Sequence, residues 1–235
     1  MTEGWREQEK YTVAAVAIVS LLIVASLVYF FLMSPPPLPL GTNGNNGSTG
    51  GGAGNTSSGG ATITLDGTGK PFRGGEAAPV VIFEVSDFEC PYCARVQPTL
   101  KQLEADYGTS IKLMFVHAPY HSNSLKAAVA SECANDQGKF WEMHDTLFAN
   151  QQALDDASLK QYAAGIGLDT AKFNSCLDSQ ETLSRVRADQ AQVDQKVVPN
   201  VPNFGTPTFI INGKVLVGAQ PYDSFKSMID AELKN

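Results

Sequence analysis

The chain opens with one long apolar run and then changes to short apolar segments separated by polar ones. Residues 11–33 carry no charged side chain and are rich in Val, Ala, Leu, Ile and Phe. As an α-helix this run is about 34 Å long, enough to cross the roughly 30 Å hydrocarbon layer of a bilayer. A cleaved signal peptide is the alternative, but its apolar region is shorter, about 7–15 residues. We therefore predict an uncleaved, single transmembrane helix over residues 11–33.

The basic residues around this run predict its orientation. Arg6 and Lys10 precede it, and no Lys or Arg follows it until Lys70. By the positive-inside rule, residues 1–10 form a cytoplasmic tail and the rest of the chain lies outside the cytoplasm, which makes this a single-pass protein of the cell membrane. Residues 34–235 hold 15 basic and 21 acidic side chains. This acidic balance argues against binding to nucleic acid.

A linker is predicted between the apolar run and the folded part of the chain, over residues 34–68. Residues 34–40 are rich in Pro and favour a stiff extended spacer, whereas residues 41–60 contain only Gly, Asn, Ser, Thr and Ala. Because such a composition cannot build a core, this stretch is expected to be a flexible tether. Asn46 and Asn55 fit the N-glycosylation pattern, which chance also produces in so Asn- and Ser-rich a stretch.

Residues 69–235 are predicted to form the folded domain, of the α/β class. Short apolar runs rich in β-branched residues predict strands, and Asn212-Gly213 between two of them predicts a hairpin turn. The predicted strands span residues 80–85, 111–116, 208–211 and 215–217. The predicted helices span residues 91–107, five segments within approximately 121–198, and residues 221–233.

The sequence Cys90-Pro91-Tyr92-Cys93 falls at the predicted start of the first helix of this domain. Free backbone N–H groups and the helix dipole favour a thiolate at Cys90, and Cys93 lies one turn further along on the same side. Pro91 suits the first helical position because it has no N–H to lose. A structural zinc site is the alternative, but it needs two more ligands and usually a second close pair. We therefore predict a redox-active disulfide.

The remaining cysteines, Cys133 and Cys176, both lie in the helical region. In an exported segment a structural disulfide between them is the leading prediction, and two buried thiols or a second redox relay are the alternatives. The three histidines show no metal-ligand spacing, so no metal site is predicted. We interpret His121 and His144 as surface or core polar residues.

Three segments together resemble the DsbA-like thiol–disulfide oxidoreductases, which have a thioredoxin fold with an inserted α-helical domain. They are residues 88–93 (Phe-Glu-Cys-Pro-Tyr-Cys), residues 137–141 (Gln-Gly-Lys-Phe-Trp), and residues 205–213, with Gly-Thr-Pro-Thr at the start and Ile-Asn-Gly at the end. The resemblance covers residue 69 to the end of the chain. A lone CxxC pair is weak evidence, whereas the pair followed by a downstream Thr-Pro in this order of elements is specific.

The resemblance implies roles for matching positions. Cys90 is expected to be the attacking thiol and Cys93 the resolving one. Pro207 is expected to be a cis-proline that faces the disulfide and helps to bind an extended substrate, and Thr206 to offer backbone groups to that substrate. The simpler interpretation of Pro207 is a proline at the entry to a strand.

Further implied roles concern Glu84 and the dipeptide between the cysteines. Glu84 matches the buried acid near the active site in this family and is expected to accept the proton of Cys93; the alternative is an edge or surface strand residue. Pro91 and Tyr92 are expected to contact substrate. The dipeptide is Pro-Tyr, whereas the best-known strong oxidant of the family has Pro-His, and Tyr92 cannot supply a cationic ring to the thiolate.

The expected function is that of a membrane-anchored, extracytoplasmic enzyme that forms disulfides in reduced exported proteins. It needs no cofactor, and a quinone-linked membrane oxidase is the expected redox partner. A disulfide isomerase or reductase of the same fold is the alternative within the class. A metal-binding or metallochaperone module using the same cysteines, and a non-catalytic binding domain, are the alternatives from other classes.

Overall fold

The computed structural model describes residues 62–234, and these form a five-stranded sheet with helices packed against it. The strands are β1 (Phe72–Gly74), β2 (Val80–Ser86), β3 (Ile111–His117), β4 (Thr208–Ile211) and β5 (Lys214–Val217). The helices are α1 (Pro91–Tyr107), α2 (Ser124–Asn135), α3 (Phe140–Ala149), α4 (Asp156–Gly165), α5 (Thr170–Ser179), α6 (Leu183–Gln192) and α7 (Tyr222–Glu232). The predicted α/β class and the predicted order of elements are confirmed.

The sheet order is β1-β3-β2-β4-β5, with β2 at its centre. Strand β2 runs parallel to β3 and antiparallel to β4. Strands β4 and β5 form the predicted hairpin, and Asn212 and Gly213 at its turn have φ values of 45° and 86°. These left-handed conformations are the ones that Asn and Gly adopt most readily in a two-residue hairpin turn. Strand β1, antiparallel to β3, was not predicted.

Apolar side chains cover both faces of the sheet. One cluster joins the sheet to α1 and α7 through residues such as Ile82, Leu100 and Phe225. A second joins Val85 and Val116 to the segment that follows α6. The central strand is therefore buried on both sides, which explains its nearly continuous apolar sequence.

The packed region starts earlier than Gly69, the boundary expected from the sequence. Ile63 and Leu65 are buried in the second cluster, and Ile63 N–H donates to the Gly213 carbonyl at 3.1 Å. The expected linker over residues 34–68 was therefore too long at its carboxyl end. Ile63 and Leu65 are separated by the single polar residue Thr64, a pattern too short to distinguish from a loop.

Helices α2 to α6 lie between β3 and β4 in the chain and build a third core around Phe115, Phe140 and Phe173. A disulfide joins Cys133 on α2 to Cys176 on α5. The last helix of this region, predicted over residues 181–195, ends as an α-helix at Gln192. It continues as a π-helical turn (Val193–Val197) and a 3-10 turn (Val198–Asn200).

Several sequence predictions fall outside residues 62–234. They concern the cytoplasmic tail, the transmembrane helix over residues 11–33, most of the linker, and glycosylation at Asn46 and Asn55. Among the residues that the structure does describe, no helix combines the length and the apolar character needed to cross a bilayer.

Candidate redox active site

Cys90 and Cys93 lie where the central strand β2 leads into helix α1. Cys90 is the residue that precedes the first helical turn, with an extended backbone, and Pro91 is the first helical residue. The Cys90 carbonyl accepts the N–H groups of Cys93 at 3.1 Å and Ala94 at 3.2 Å. Both cysteines are buried free thiols in this structure, with Cys90 4% and Cys93 0% exposed. The helix start thus holds both sulfurs on the same side of α1.

The surroundings separate the acidities of the two thiols. A hydrogen bond from Cys93 lowers the pKa of the Cys90 thiol to about 5, against the effect of burial. The Thr206 side chain and the N–H groups of Cys93 and Tyr92 act in the same direction. Burial raises the pKa of Cys93, and the hydrogen bond to Cys90 raises it further. At neutral pH the pair therefore holds one thiolate, on Cys90, and one thiol, on Cys93.

The loop that leads into β4 faces the Cys90 sulfur. The Thr206–Pro207 peptide bond is cis, and the Thr206 carbonyl oxygen lies 3.3 Å from Cys90 Sγ, which donates a hydrogen bond to it when the sulfur carries its proton. Thr206 is half-buried, whereas Pro207 is buried. The structure thus brings Thr206 and Pro207 to the cysteine pair, as the family resemblance implied. Their role in substrate binding stays a prediction.

Glu84 lies in the middle of β2 and is 0% exposed, so it is not the edge or surface residue that was the alternative. Burial raises its pKa to about 7. Gln97 on α1 donates from Nε2 both to Glu84 Oε1, at 2.9 Å, and to the Cys93 carbonyl, at 3.1 Å. A protonatable carboxyl group is therefore connected through one side chain to the backbone of Cys93.

A second buried carboxylate, Asp87, follows β2 and was not predicted from the sequence. It is 1% exposed and accepts hydrogen bonds from the N–H groups of Glu89, Tyr120 and His121. It also contacts His121 Nδ1 at 2.9 Å. Asp87 therefore fastens the loop after β3 to the loop that carries Cys90. The signal in the sequence was an acid directly after a buried strand.

Two more side chains missed from the sequence hold the active-site loop. Glu89 accepts hydrogen bonds from the backbone and side-chain amides of Asn123, at 2.7 and 2.9 Å. Gln151, just after α3, donates from Nε2 to the carbonyls of Phe88 and Cys90, at 2.8 and 2.9 Å. The backbone that presents Cys90 is thus fixed by the helical region on one side and by α1 on the other.

The predicted substrate contacts Pro91 and Tyr92 are both exposed beside Cys90. The Tyr92 side chain is 53% exposed, and the Arg95 guanidinium carbon lies 4.4 Å from the centroid of its ring. An aromatic surface next to the thiolate is therefore available to a partner. Whether Pro91 and Tyr92 bind substrate stays a prediction.

Residues 62–234 contain no group of three or more His, Cys, Asp or Glu side chains arranged to hold a metal ion. Cys133 and Cys176 form their disulfide. Each histidine has a separate carboxylate neighbour: Glu132 for His117, Asp87 for His121 and Asp145 for His144. The interpretation of His121 and His144 as surface or core polar residues agrees with the exposure of His121 and the burial of His144. His121 also lies beside the active-site loop, through its contact with Asp87.

Comparisons with known proteins agree with this arrangement. A family model described as thioredoxin matches residues 67–231. The oxidised crystal structure of BdbD from Bacillus subtilis is 26% identical, with a TM-score of 0.65, and the match covers 75% of this chain and 98% of that one. The thiol-disulfide exchange protein alpha-DsbA2 from Wolbachia pipientis is 25% identical, with a TM-score of 0.60 and coverages of 69% and 86%.

Curated relatives include longer proteins of another kind. The Na(+)/H(+) antiporter NhaA 3 of Salinispora tropica is 40% identical over 145 residues, which are 60% of this chain. Its counterpart NhaA from Herminiimonas arsenicoxydans is 35% identical over 159 residues, 68% of this chain. The match spans 21% and 25% of the length of these two relatives.

Proposed function

We propose a redox function from one premise: this chain belongs to the thioredoxin family and has the DsbA-like combination of a thioredoxin fold with an inserted helical domain. It is a thiol–disulfide oxidoreductase that uses Cys90 and Cys93. The observation that carries the proposal is that the two thiols of the pair differ in acidity. An acidic Cys90 thiol sits at a helix start, and Cys93 behind it stays protonated.

The reaction begins with Cys90 and Cys93 joined in a disulfide. A substrate thiolate attacks Cys90 Sγ, the bond between the two enzyme sulfurs breaks, and Cys93 leaves with the electron pair and takes up a proton. A second substrate thiolate then attacks the substrate sulfur of the mixed disulfide and releases Cys90 as a thiolate. The substrate has lost two electrons and gained a disulfide, and the enzyme holds those electrons.

Cys90 is the better leaving group in the second step because its thiolate is stabilised where it forms. The donors are in place before the reaction: the Cys93 thiol, the Thr206 side chain and the first N–H groups of α1. An acidic thiol of this kind stabilises the reduced form and so favours an oxidant. We therefore assign the direction of electron flow from substrate to enzyme.

Glu84 supplies or accepts the proton that Cys93 exchanges. Its pKa of about 7 allows it to hold a proton in one step and release it in the next near neutral pH. The hydrogen bonds from Gln97 to Glu84 and to the Cys93 carbonyl place this carboxyl group in the same network as the resolving cysteine.

The cellular setting is part of the proposal. Residues 11–33 anchor the protein in the cell membrane with its amino terminus in the cytoplasm, and the folded domain acts outside on reduced exported proteins. The bond between Cys133 and Cys176 supports an oxidising compartment, because disulfides rarely persist in the cytosol. A quinone-linked membrane oxidase is the partner that returns Cys90 and Cys93 to the disulfide.

The direct test measures the reduction potential of the pair and its turnover. The full-length protein in non-ionic detergent is equilibrated with glutathione buffers. It is then mixed with a reduced, unfolded secreted protein as the client. We expect a reversible Cys90–Cys93 disulfide, a potential toward about −120 mV and oxidation of the client. A potential near −270 mV would instead mean a reductase. Absence of a reversible disulfide would overturn the proposed function.

A trapping experiment identifies the attacking residue. Cys93→Ala removes the resolving thiol, so mixed disulfides between Cys90 and client proteins should accumulate. The matched control is Cys90→Ala, which should trap nothing. Equal trapping by both variants would contradict the assigned roles.

A further inference from the structure

The loop between β3 and α2 brings an imidazole to the active-site loop. His121 Nδ1 lies 2.9 Å from Asp87 Oδ2, and the His121 N–H donates to the same oxygen at 3.1 Å. The carbonyl of that same Asp87 accepts the N–H of Cys90 at 3.1 Å. One residue therefore connects the imidazole to the backbone of the attacking cysteine, although His121 follows Cys90 by 31 positions in the chain.

The position of His121 is fixed at several points. Its N–H also meets Ser124 Oγ at 3.1 Å, and the Ser124 hydroxyl donates to the His121 carbonyl. Two residues further along, Asn123 is held by Glu89. The ring itself remains 46% exposed. A ring that is anchored at Nδ1 and open to solvent is suited to carry a charge.

The imidazole of His121 lies close to negatively charged side chains that precede Cys90. Asp87 and Glu89 are both carboxylates and lie three and one positions before Cys90. Each disfavours a third negative charge on the cysteine sulfur. The hydrogen bond to Asp87 raises the pKa of His121, and the charges of Asp87, Cys90 and Glu89 raise it further. The ring therefore favours its cationic form where it offsets these negative charges.

Another cation near the helix start is engaged elsewhere. Arg95 lies on α1, and its guanidinium group stacks on the ring of Tyr92. Tyr92 is also the position between the cysteines at which an imidazole would be adjacent to the thiolate, and here it is a phenol. The structure thus places a histidine from a different loop near a pair that has none between its cysteines.

We propose that His121, anchored by Asp87, is a positioning residue whose imidazolium stabilises the Cys90 thiolate across the gap between the two loops. This inference rests on the proposed redox function of the pair and adds a residue outside the CxxC segment to it. The imidazolium stabilises only the reduced enzyme, because the disulfide carries no negative charge. His121 therefore makes the pair more oxidising.

The expected effect is modest because the ring is partly exposed and screened by solvent. In His121→Gln the pKa of Cys90 should rise by about half a pH unit, which is roughly a threefold fall in the ratio of thiolate to thiol. The equilibrium with glutathione should move by the same factor, so the potential should become about 15 mV more reducing. Added salt should diminish both differences.

The experiment titrates the ultraviolet absorbance of the Cys90 thiolate in the full-length reduced protein. His121→Arg keeps a cation at this position and should restore most of the shift, whereas Ser122→Ala, an exposed and uncharged change in the same loop, should cause none. An equal shift in the Gln and Arg variants would mean that the ring acts only through the shape of the loop. That result, or no shift in His121→Gln, would overturn the inference.

A second measurement needs no variant. Coupling between two groups is reciprocal, so the pKa of His121 should be higher in the reduced than in the oxidised protein. Nuclear magnetic resonance of the imidazole protons in both redox states measures this difference. Equal values would overturn the inference, while a reversible disulfide in the same samples would show that the proposed function still stands.

Discussion

Replacing Glu84 by Gln removes the one carboxyl group that lies in the middle of the central strand. The substitution keeps the size of the side chain and an oxygen that can accept the hydrogen bond from Gln97. It abolishes the titration. The comparison of wild type with Glu84→Gln therefore isolates the free energy of placing this charge in the core.

The size of this free energy follows from the pKa of Glu84 in the folded and unfolded states. Glu84 has a reference pKa of 4.5 and a pKa of about 7 in the fold, because burial penalises the carboxylate. Below pH 4.5 the group is neutral in both states and its titration has no effect on stability. Above pH 7 it is ionised in both, and the interval between the two values corresponds to about 3 kcal/mol at 1.36 kcal/mol per pH unit. The wild type should lose this much relative to Glu84→Gln as the pH rises from 4.5 to 7.

Urea unfolding of the two reduced proteins at pH values from 4 to 8 measures the difference in the free energy of unfolding. Because both proteins contain the same cysteines, the titration of Cys90 cancels in the difference. Glu142→Gln is the matched control, because it makes the same chemical change at a carboxyl group that is exposed on α3. A constant difference for Glu84→Gln would refute the claim that Glu84 is a buried acid poised to exchange a proton with Cys93.

Other predictions concern stability and acidity at separate places. Replacing Cys133 and Cys176 together by Ala should lower the free energy of unfolding by about 4 kcal/mol, the chain-entropy value for a loop of 43 positions, as measured by urea unfolding. Thr206→Val removes a donor to the thiolate and should raise the pKa of Cys90, measured by thiolate absorbance. Burial lowers the pKa of His144 from 6.5 to about 4, so the free energy of unfolding of the wild type should fall by about 3 kcal/mol as the pH drops through this range. His144→Phe should remove this loss, as measured by urea unfolding of both proteins at pH 7 and pH 4.

Each of these has a contradicting result. Equal unfolding midpoints with and without the Cys133–Cys176 bond would mean that the bond adds nothing to stability. An unchanged pKa of Cys90 in Thr206→Val would remove the side chain of Thr206 from the donor set. An acid sensitivity that persists in His144→Phe would have to arise elsewhere in the core.

The elements that build the active site could be predicted because their signals are local. Strand β2 and helix α1 are marked by an apolar run followed by Cys-Pro at a helix start, and the hairpin of β4 and β5 by Asn212-Gly213. Such signals depend on the preferences of a few adjacent residues. The bounds of α1, Pro91–Tyr107, agree with the prediction at both ends.

The features that the sequence could not predict depend on contacts between residues that are far apart in the chain. Strand β1 has three residues and exists only because β3 offers it a free edge. The contact of Asp87 with His121 joins two loops that are separated by all of α1 and β3. His121 therefore resembled any polar residue in a loop until the fold placed it against Asp87, next to the active-site loop.

The most direct test of the account is the alkylation of the reduced wild-type protein as a function of pH, with the labelled residue identified by mass spectrometry. We expect the label on Cys90, at a rate that rises with a midpoint at about pH 5, and little label on Cys93, whose raised pKa keeps it a thiol. A midpoint near the ordinary cysteine value of about 8.5, or label divided equally between the two residues, would contradict the claim that Cys90 is the thiolate that exchanges with substrate.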